Sequence, residues 1–154
     1  MTQRTLPLTV ILILSASLAQ AQQCDSNSLE EKAVRSIAEG IIAADNASDL
    51  RAVLNFYDRY AVLLPPNESA VSGYDAIRTR YEALFANFKP VIRARIDELC
   101  VEKKTAFVRG HNGGELTPIK GGESRQLDDT YLMLLRLGSD GNWRITHLMW
   151  HRSH

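Results

Sequence analysis

Between Leu127 and His151 the chain carries two long strand-like runs divided by Ser139-Asp140-Gly141-Asn142. An Asp-Gly step between two such runs closes a β-hairpin, because the turn needs a residue free to take positive φ. The first arm, Asp129 to Leu137, contains aromatic and aliphatic residues and neither Gly nor Pro. The second, Trp143 to Trp150, alternates loosely in polarity. A nearly continuous apolar arm is the pattern of a strand buried on both faces. The rest of the chain is therefore expected to cover both sides of this hairpin.

The cover on one side is helical. Ser28-Leu29-Glu30-Glu31 has the form of a capping box, in which the Ser hydroxyl and the Glu carboxylate satisfy exposed backbone donors. Ala33, Val34, Ile37, Ala38, Ile41 and Ile42 follow at helical spacing, and the helix is expected to stop near Asp45-Asn46. A second, shorter helix starts at Ser48-Asp49 and carries Leu50, Val53, Leu54 and Tyr57 on one side. Tyr60 to Leu64 predicts a short strand, stopped by Pro65-Pro66, which cannot extend a ladder. Ser72-Gly73-Tyr74-Asp75 predicts a third helix with a Ser-x-x-Asp start, ending before Pro90. From Val91 to Thr117 the period changes to that of two strands turning at Glu102-Lys103-Lys104. The result is an α+β chain with helices on one face of a mostly antiparallel sheet.

Residues 1–21 are set apart as a signal peptide. Arg4 is their only charge, Leu6 to Leu14 is apolar but too short to span a bilayer, and Ala19-Gln20-Ala21 has the small-x-small form of a cleavage site. Residues 22–27 form a tail and 28–151 the folded domain. An exported protein, periplasmic or extracellular, is implied, with no membrane association after cleavage. Cys24 and Cys100 are the only cysteines, and an oxidising compartment permits them to pair; the alternative is a buried, free Cys100. Eighteen basic and eighteen acidic residues leave no net charge, which gives no electrostatic reason to expect nucleic acid.

Several segments are familiar. Asp45-Asn46-Ala47-Ser48-Asp49-Leu50, Leu54-x-Phe56-Tyr57, Ala61 to Pro66, Gly73-Tyr74-Asp75-Ala76-Ile77-Arg78 and Gly141-Asn142-Trp143-Arg144-Ile145 together resemble the SnoaL-like branch of the nuclear transport factor 2-like superfamily. The resemblance covers nearly all of the chain after the signal segment. It implies a cone-shaped α+β barrel, with three N-terminal helices packed on a curved sheet around an apolar cavity. It also implies a homodimer formed through the outer sheet face. The superfamily hosts many chemistries, so fold alone does not name one. Steroid isomerases of this group use an Asp base, a Tyr and a protonated Asp. The corresponding positions fall on Leu64 or Pro65, near Ile41 and near Met133, so that chemistry in its known form is excluded.

By resemblance, Trp150, Leu148 and Thr146 face the cavity on one arm, with Met133, Tyr131 and Asp129 on the other, following strand alternation. Leu64 and Tyr57 join them as a wall and a hydrogen-bonding phenol. Asp129 in an apolar pocket could serve as a general acid or base, or it could be a structural hydrogen-bond acceptor. Arg109 and His111 share a face of their strand. On the concave side they would meet Asp129 or a ligand carboxylate; on the convex side they would be solvated or lie in the dimer contact. His147 and His151 are about 13 Å apart on a strand, too far to share a metal ion. No cofactor motif is present: Gly113-Gly114 and Gly121-Gly122 lack phosphate-binding spacing. Three functions remain open: a small-molecule binder with Tyr57, Leu64, Arg109, Tyr131, Met133, Leu148 and Trp150 at its pocket, a cofactor-independent proton-transfer enzyme using Asp129 with His111, and a dimeric interaction module.

Overall fold

The computed structural model describes residues 28–153. The expected signal segment and cleavage site, and Cys24, lie outside the described residues, and so does the expected pairing of Cys24 with Cys100. In chain order the elements are α1 (Leu29–Asn46), α2 (Leu50–Asn55), β1 (Tyr57–Leu64), β2 (Val71–Ser72), α3 (Tyr74–Asn87), β3 (Phe88–Glu102), β4 (Thr105–Pro118), β5 (Arg125–Leu137) and β6 (Trp143–Arg152). The six strands form one curved, unclosed sheet in the order β2-β1-β6-β5-β4-β3. All neighbours are antiparallel except β1 and β6, which run parallel.

The helix starts have identifiable causes. Ser28 Oγ accepts from the Glu31 N–H at 3.0 Å, and Asp49 Oδ1 accepts from the Ala52 N–H at 3.0 Å. The expected Ser-x-x-Asp cap on α3 does not form. Gly73 takes the cap position at φ +87°, and Ser72 is spent in β2. Tyr57 was expected on the second helix but opens β1, because α2 ends at Asn55 and the chain there turns extended to pair with Ile145.

The buried stripe of α1 comprises Val34, Ala38, Ile41, Ala44 and Asp45. It packs on the concave sheet face, where Val108, Tyr131, Met133, Leu135 and Ile145 are buried. At its end Asn46 stitches the helix to the free edge of β3: its Nδ2 donates to the Ile92 carbonyl at 2.8 Å and its Oδ1 accepts from the Ile92 N–H at 2.6 Å. One side chain thus does for the edge strand what a seventh strand would do.

The expectation that both faces of the hairpin are covered is overturned. Along β5, buried Asp129, Tyr131, Met133 and Leu135 alternate with more open residues, and Leu134 is 40% exposed. On the convex face Leu132 pairs with Met149, and Phe107 with Leu134. Among the described residues no element is laid over them. The apolar continuity of this arm reflects an uncovered hydrophobic face rather than a second layer.

Candidate functional site

Between α1, α3 and the concave face of β3 to β6 lies a cavity of about 60 Å3. Its walls are mostly hydrocarbon: Ala38, Ile41 and Ile42 from α1, Ile92 from β3, Met133 from β5 and Leu148 from β6. Four polar side chains interrupt them, namely Asp45, Tyr81, Asn112 and Tyr131. A space of this size holds several waters or a small organic group.

Asp45 is the group that sequence reasoning missed. It sits on the same stripe as Val34, Ala38 and Ile41, at the spacing of one more turn, so the helix drives a carboxyl into its own core contact. The residue is 8% exposed, and Oδ1 finds no hydrogen-bond partner among the described residues. Burial lifts its pKa from the ordinary 3.8 to about 7, because the charged form has lost its water. The end of α1 adds to this: the carbonyl end of a helix is negative, and no basic residue occupies the last turn. The readable signal was stripe continuation, since a carboxylate at the next buried position is either a chain end or a site.

Tyr81 reaches the cavity from α3 and shares a hydrogen bond with Tyr57 of β1, hydroxyl to hydroxyl at 2.9 Å. Burial pushes both phenols up, and the nearby Asp45 carboxylate pushes further in the same direction. Tyr131 is held up to about 12 by burial. Its ring has room only because residue 110 is Gly. An added Cβ there would meet the Arg95 carbonyl and come within 2.6 Å of Tyr131 Oη. Asn112 stands opposite Asp129 in the β4–β5 ladder, and Oδ1 of each is buried without a hydrogen-bond partner among the described residues.

The residues singled out from sequence divide. Tyr131, Met133 and Leu148 line the cavity, and Tyr57 supports it through Tyr81. Asp129 is 6% exposed on the concave face but does not line the cavity; its Oδ1 lies 3.9 Å from Arg152 Nε. Desolvation raises its pKa and Arg152 draws it back. Trp150, partly buried beside Tyr131, lies under the Arg80 guanidinium at 5.7 Å and is not in the wall. Leu64 pairs with Met149 on the convex face, since Leu63 takes the buried position.

Arg109 and His111 also lie on the convex face. Arg109 Nε is 3.1 Å from Glu98 Oε2, and His111 Nε2 is 2.8 Å from Asp128 Oδ1. Strand alternation puts them opposite to Gly110 and Asn112, so neither can meet Asp129 across the cavity. Thr146 leaves the inward face as well. A bulge at this point of β6 lets its hydroxyl donate to the Leu134 carbonyl at 3.2 Å, and parity resumes with Leu148 inward.

Comparison with known proteins agrees with this architecture. The family model described as a SnoaL-like domain matches residues 38–147. No curated protein matches the sequence. Among solved structures, the chain is similar to a ketosteroid isomerase-like protein from Erwinia carotovora atroseptica SCRI1043, with TM-score 0.74 and 25% identity over 80% of this chain and 96% of that one. A nuclear transport factor 2-like superfamily protein from Salmonella enterica serovar Typhimurium gives TM-score 0.71 and 10% identity, covering 80% and 91%. A Streptomyces avermitilis protein of the NTF2-like family, provisionally named a dehydratase, gives 0.69 and 14%, covering 81% and 96%. The last two likenesses speak to fold alone.

Proposed function

This chain belongs to the SnoaL-like domain family, and we propose that it holds a small amphipathic molecule in the cavity beneath α1. One observation carries the reading. An apolar-walled cavity receives two buried oxygens, Asp45 Oδ1 and Asn112 Oδ1, that no described residue satisfies. Buried acceptors without donors cost about 1–3 kcal/mol each, and a bound molecule that supplies donors recovers that cost. Hydrocarbon walls then accept the rest of the molecule. Native mass spectrometry and a fragment screen on the purified protein test this, alongside Ala38→Leu, which fills the space from α1. Bound mass or fragment shifts in the wild type, lost in the variant, support the reading. A protein that stays empty across the screen overturns it.

A second reading is cofactor-independent proton transfer, favoured by the carboxyl raised by burial to about 7 in a cavity wall that also holds the phenols of Tyr81 and Tyr131. A group with such a pKa can take and return a proton at neutral pH. The acid or base in this reading is Asp45 rather than Asp129, which stands outside the cavity wall. Asp45→Asn separates the readings: an enzyme loses turnover while keeping affinity for a neutral ligand.

The proposal includes self-association through the convex face, supported by the apolar group Phe107, Leu132, Leu134 and Met149. Export and a Cys24–Cys100 bridge are part of the same proposal.

A further inference from the structure

We infer that the cavity selects a small primary ammonium ion with an apolar body, its nitrogen against Asp45 and Asn112. This deepens the small-molecule reading above and rests on it. Three independent features of the wall agree on the sign of the charge. First, the two wall atoms left without a hydrogen-bond partner among the described residues, Asp45 Oδ1 and Asn112 Oδ1, are both acceptors. An ammonium group offers three donors and needs no acceptor. Second, no Lys, Arg or His is among the described residues lining the cavity, so a carboxylate or phosphate ligand would meet no countercharge. Third, Asp45 belongs to the last turn of an 18-residue helix that carries no basic residue there, where the backbone itself favours a cation.

The remaining wall fits the rest of such a molecule. Ile41, Ile42, Met133 and Leu148 would take a short alkyl body, while Tyr81 and Tyr131 set aromatic rings at the cavity wall. A neutral alcohol could satisfy one acceptor but leaves the other orphaned and the helix end uncompensated.

The surroundings of Asp45 define the pH dependence. Tyr81 faces the cavity from α3, Tyr131 from β5 and Asn112 from β4, with Ile92 and Leu148 from β3 and β6. Tyr57 of β1 stands behind Tyr81. Among the described residues Arg80 is the cation whose field reaches Tyr57 and Tyr81, and it is paired with Glu68 at 2.6 Å, while the field of Arg35, paired with Glu31, reaches Tyr131. An alkylammonium, with a pKa close to the lysine value of about 10.4, stays charged throughout the neutral range. Its affinity therefore follows ionisation of Asp45 and rises from acid to alkaline pH.

The test uses 15N-labelled protein titrated with propyl-, isobutyl- and benzylamine and with the three matching alcohols, at pH 8.5 and 5.5 and constant ionic strength. Resonances of the Asn112 side-chain amide and of Ile41 report occupancy. The expected result is that at least one amine binds about tenfold or more tightly than its alcohol at pH 8.5, the scale of one charge-assisted hydrogen bond. That preference should shrink by a similar factor at pH 5.5 and vanish in Asp45→Asn. If the variant does not fold, the pH series on the wild type makes the same comparison. Alcohols binding as well as amines, or a preference that survives both acid and the Asn variant, overturn the ammonium assignment and leave the cavity reading standing. If neither series moves these resonances, both fall.

Discussion

The hydroxyls of Tyr57 and Tyr81 lie 2.9 Å apart, a bond between β1 and α3 across 24 residues of chain. Both rings are buried, so each hydroxyl depends on the other. Replacing one alone, as in Tyr57→Phe, leaves the partner buried with one hydrogen bond fewer, at a cost of about 1–3 kcal/mol. Removing both should cost less than the sum of the single changes. Chemical denaturation of the two single variants and the double closes the cycle. Additive costs would show that the bond contributes nothing beyond ring packing.

Asp45 predicts an unusual pH profile. Its pKa rises from 3.8 to about 7 on folding, so between those values the folded chain holds a proton that the unfolded chain has released. Stability is unaffected by this group below about pH 4, falls as pH rises through the interval, and is lower by roughly 4 kcal/mol above it. Asp45→Asn keeps the shape of the protonated form and removes the ionisation. The variant should match the wild type near pH 4 and melt several degrees higher at pH 8. Equal melting temperatures at both pH values would mean that the carboxyl is solvated.

Gly110 and Gly113 make a matched pair on β4. A Cβ at 110 would press on the Arg95 carbonyl and on Tyr131, whereas at 113 it meets only the Leu127 carbonyl at 4.0 Å. Gly110→Ala should destabilise by about 1–3 kcal/mol, as overpacking does, and shift the Tyr131 ring resonances. Gly113→Ala should do neither. Denaturant midpoints and aromatic NMR spectra check both.

On the convex face Leu134 is 40% exposed and Met149 44%. Leu134→Lys should leave stability within about 0.5 kcal/mol, as for other exposed positions, while dispersing the proposed dimer. Sedimentation velocity over a concentration series reports the change. A wild type that is monomeric at every concentration would remove the self-association proposal.

Strands and helices stood out in the sequence because each has a period, and the turn at Asp140-Gly141 a composition. The two-strand reading of Val91 to Thr117 survives as β3 and β4, turning at the residues expected. What period cannot supply is which face of a strand is concave. For Arg109 and His111 that depended on which side of β3 and β4 the helix α1 covers, and for Thr146 on one bulged residue. Leu64 was misplaced by parity: β1 starts at Tyr57 rather than Tyr60 and ends where expected, but its buried positions are Tyr57, Ala61 and Leu63, which turns Leu64 outward. Asp45 was hidden for a different reason: a carboxylate at the end of an apolar stripe looks like a helix stop, and only the depth of the neighbouring sheet makes it interior.

The parallel pairing of β1 with β6 sets Val62 opposite His147, and this governs how a nascent chain can fold. A ribosome that has delivered residues through β5 has made α1 to α3 and β1 to β5, yet β1 still lacks the neighbour that joins it to the long strands. The hairpins β3–β4 and β4–β5 can zip locally, but the floor of the cavity, including Leu148, arrives only with β6. Loop closure across so much sequence is slow, so the chain stays open until synthesis of this domain is nearly finished. A molecule that depends on the cavity can be captured only after that moment, and an interrupted product has nowhere to hold it.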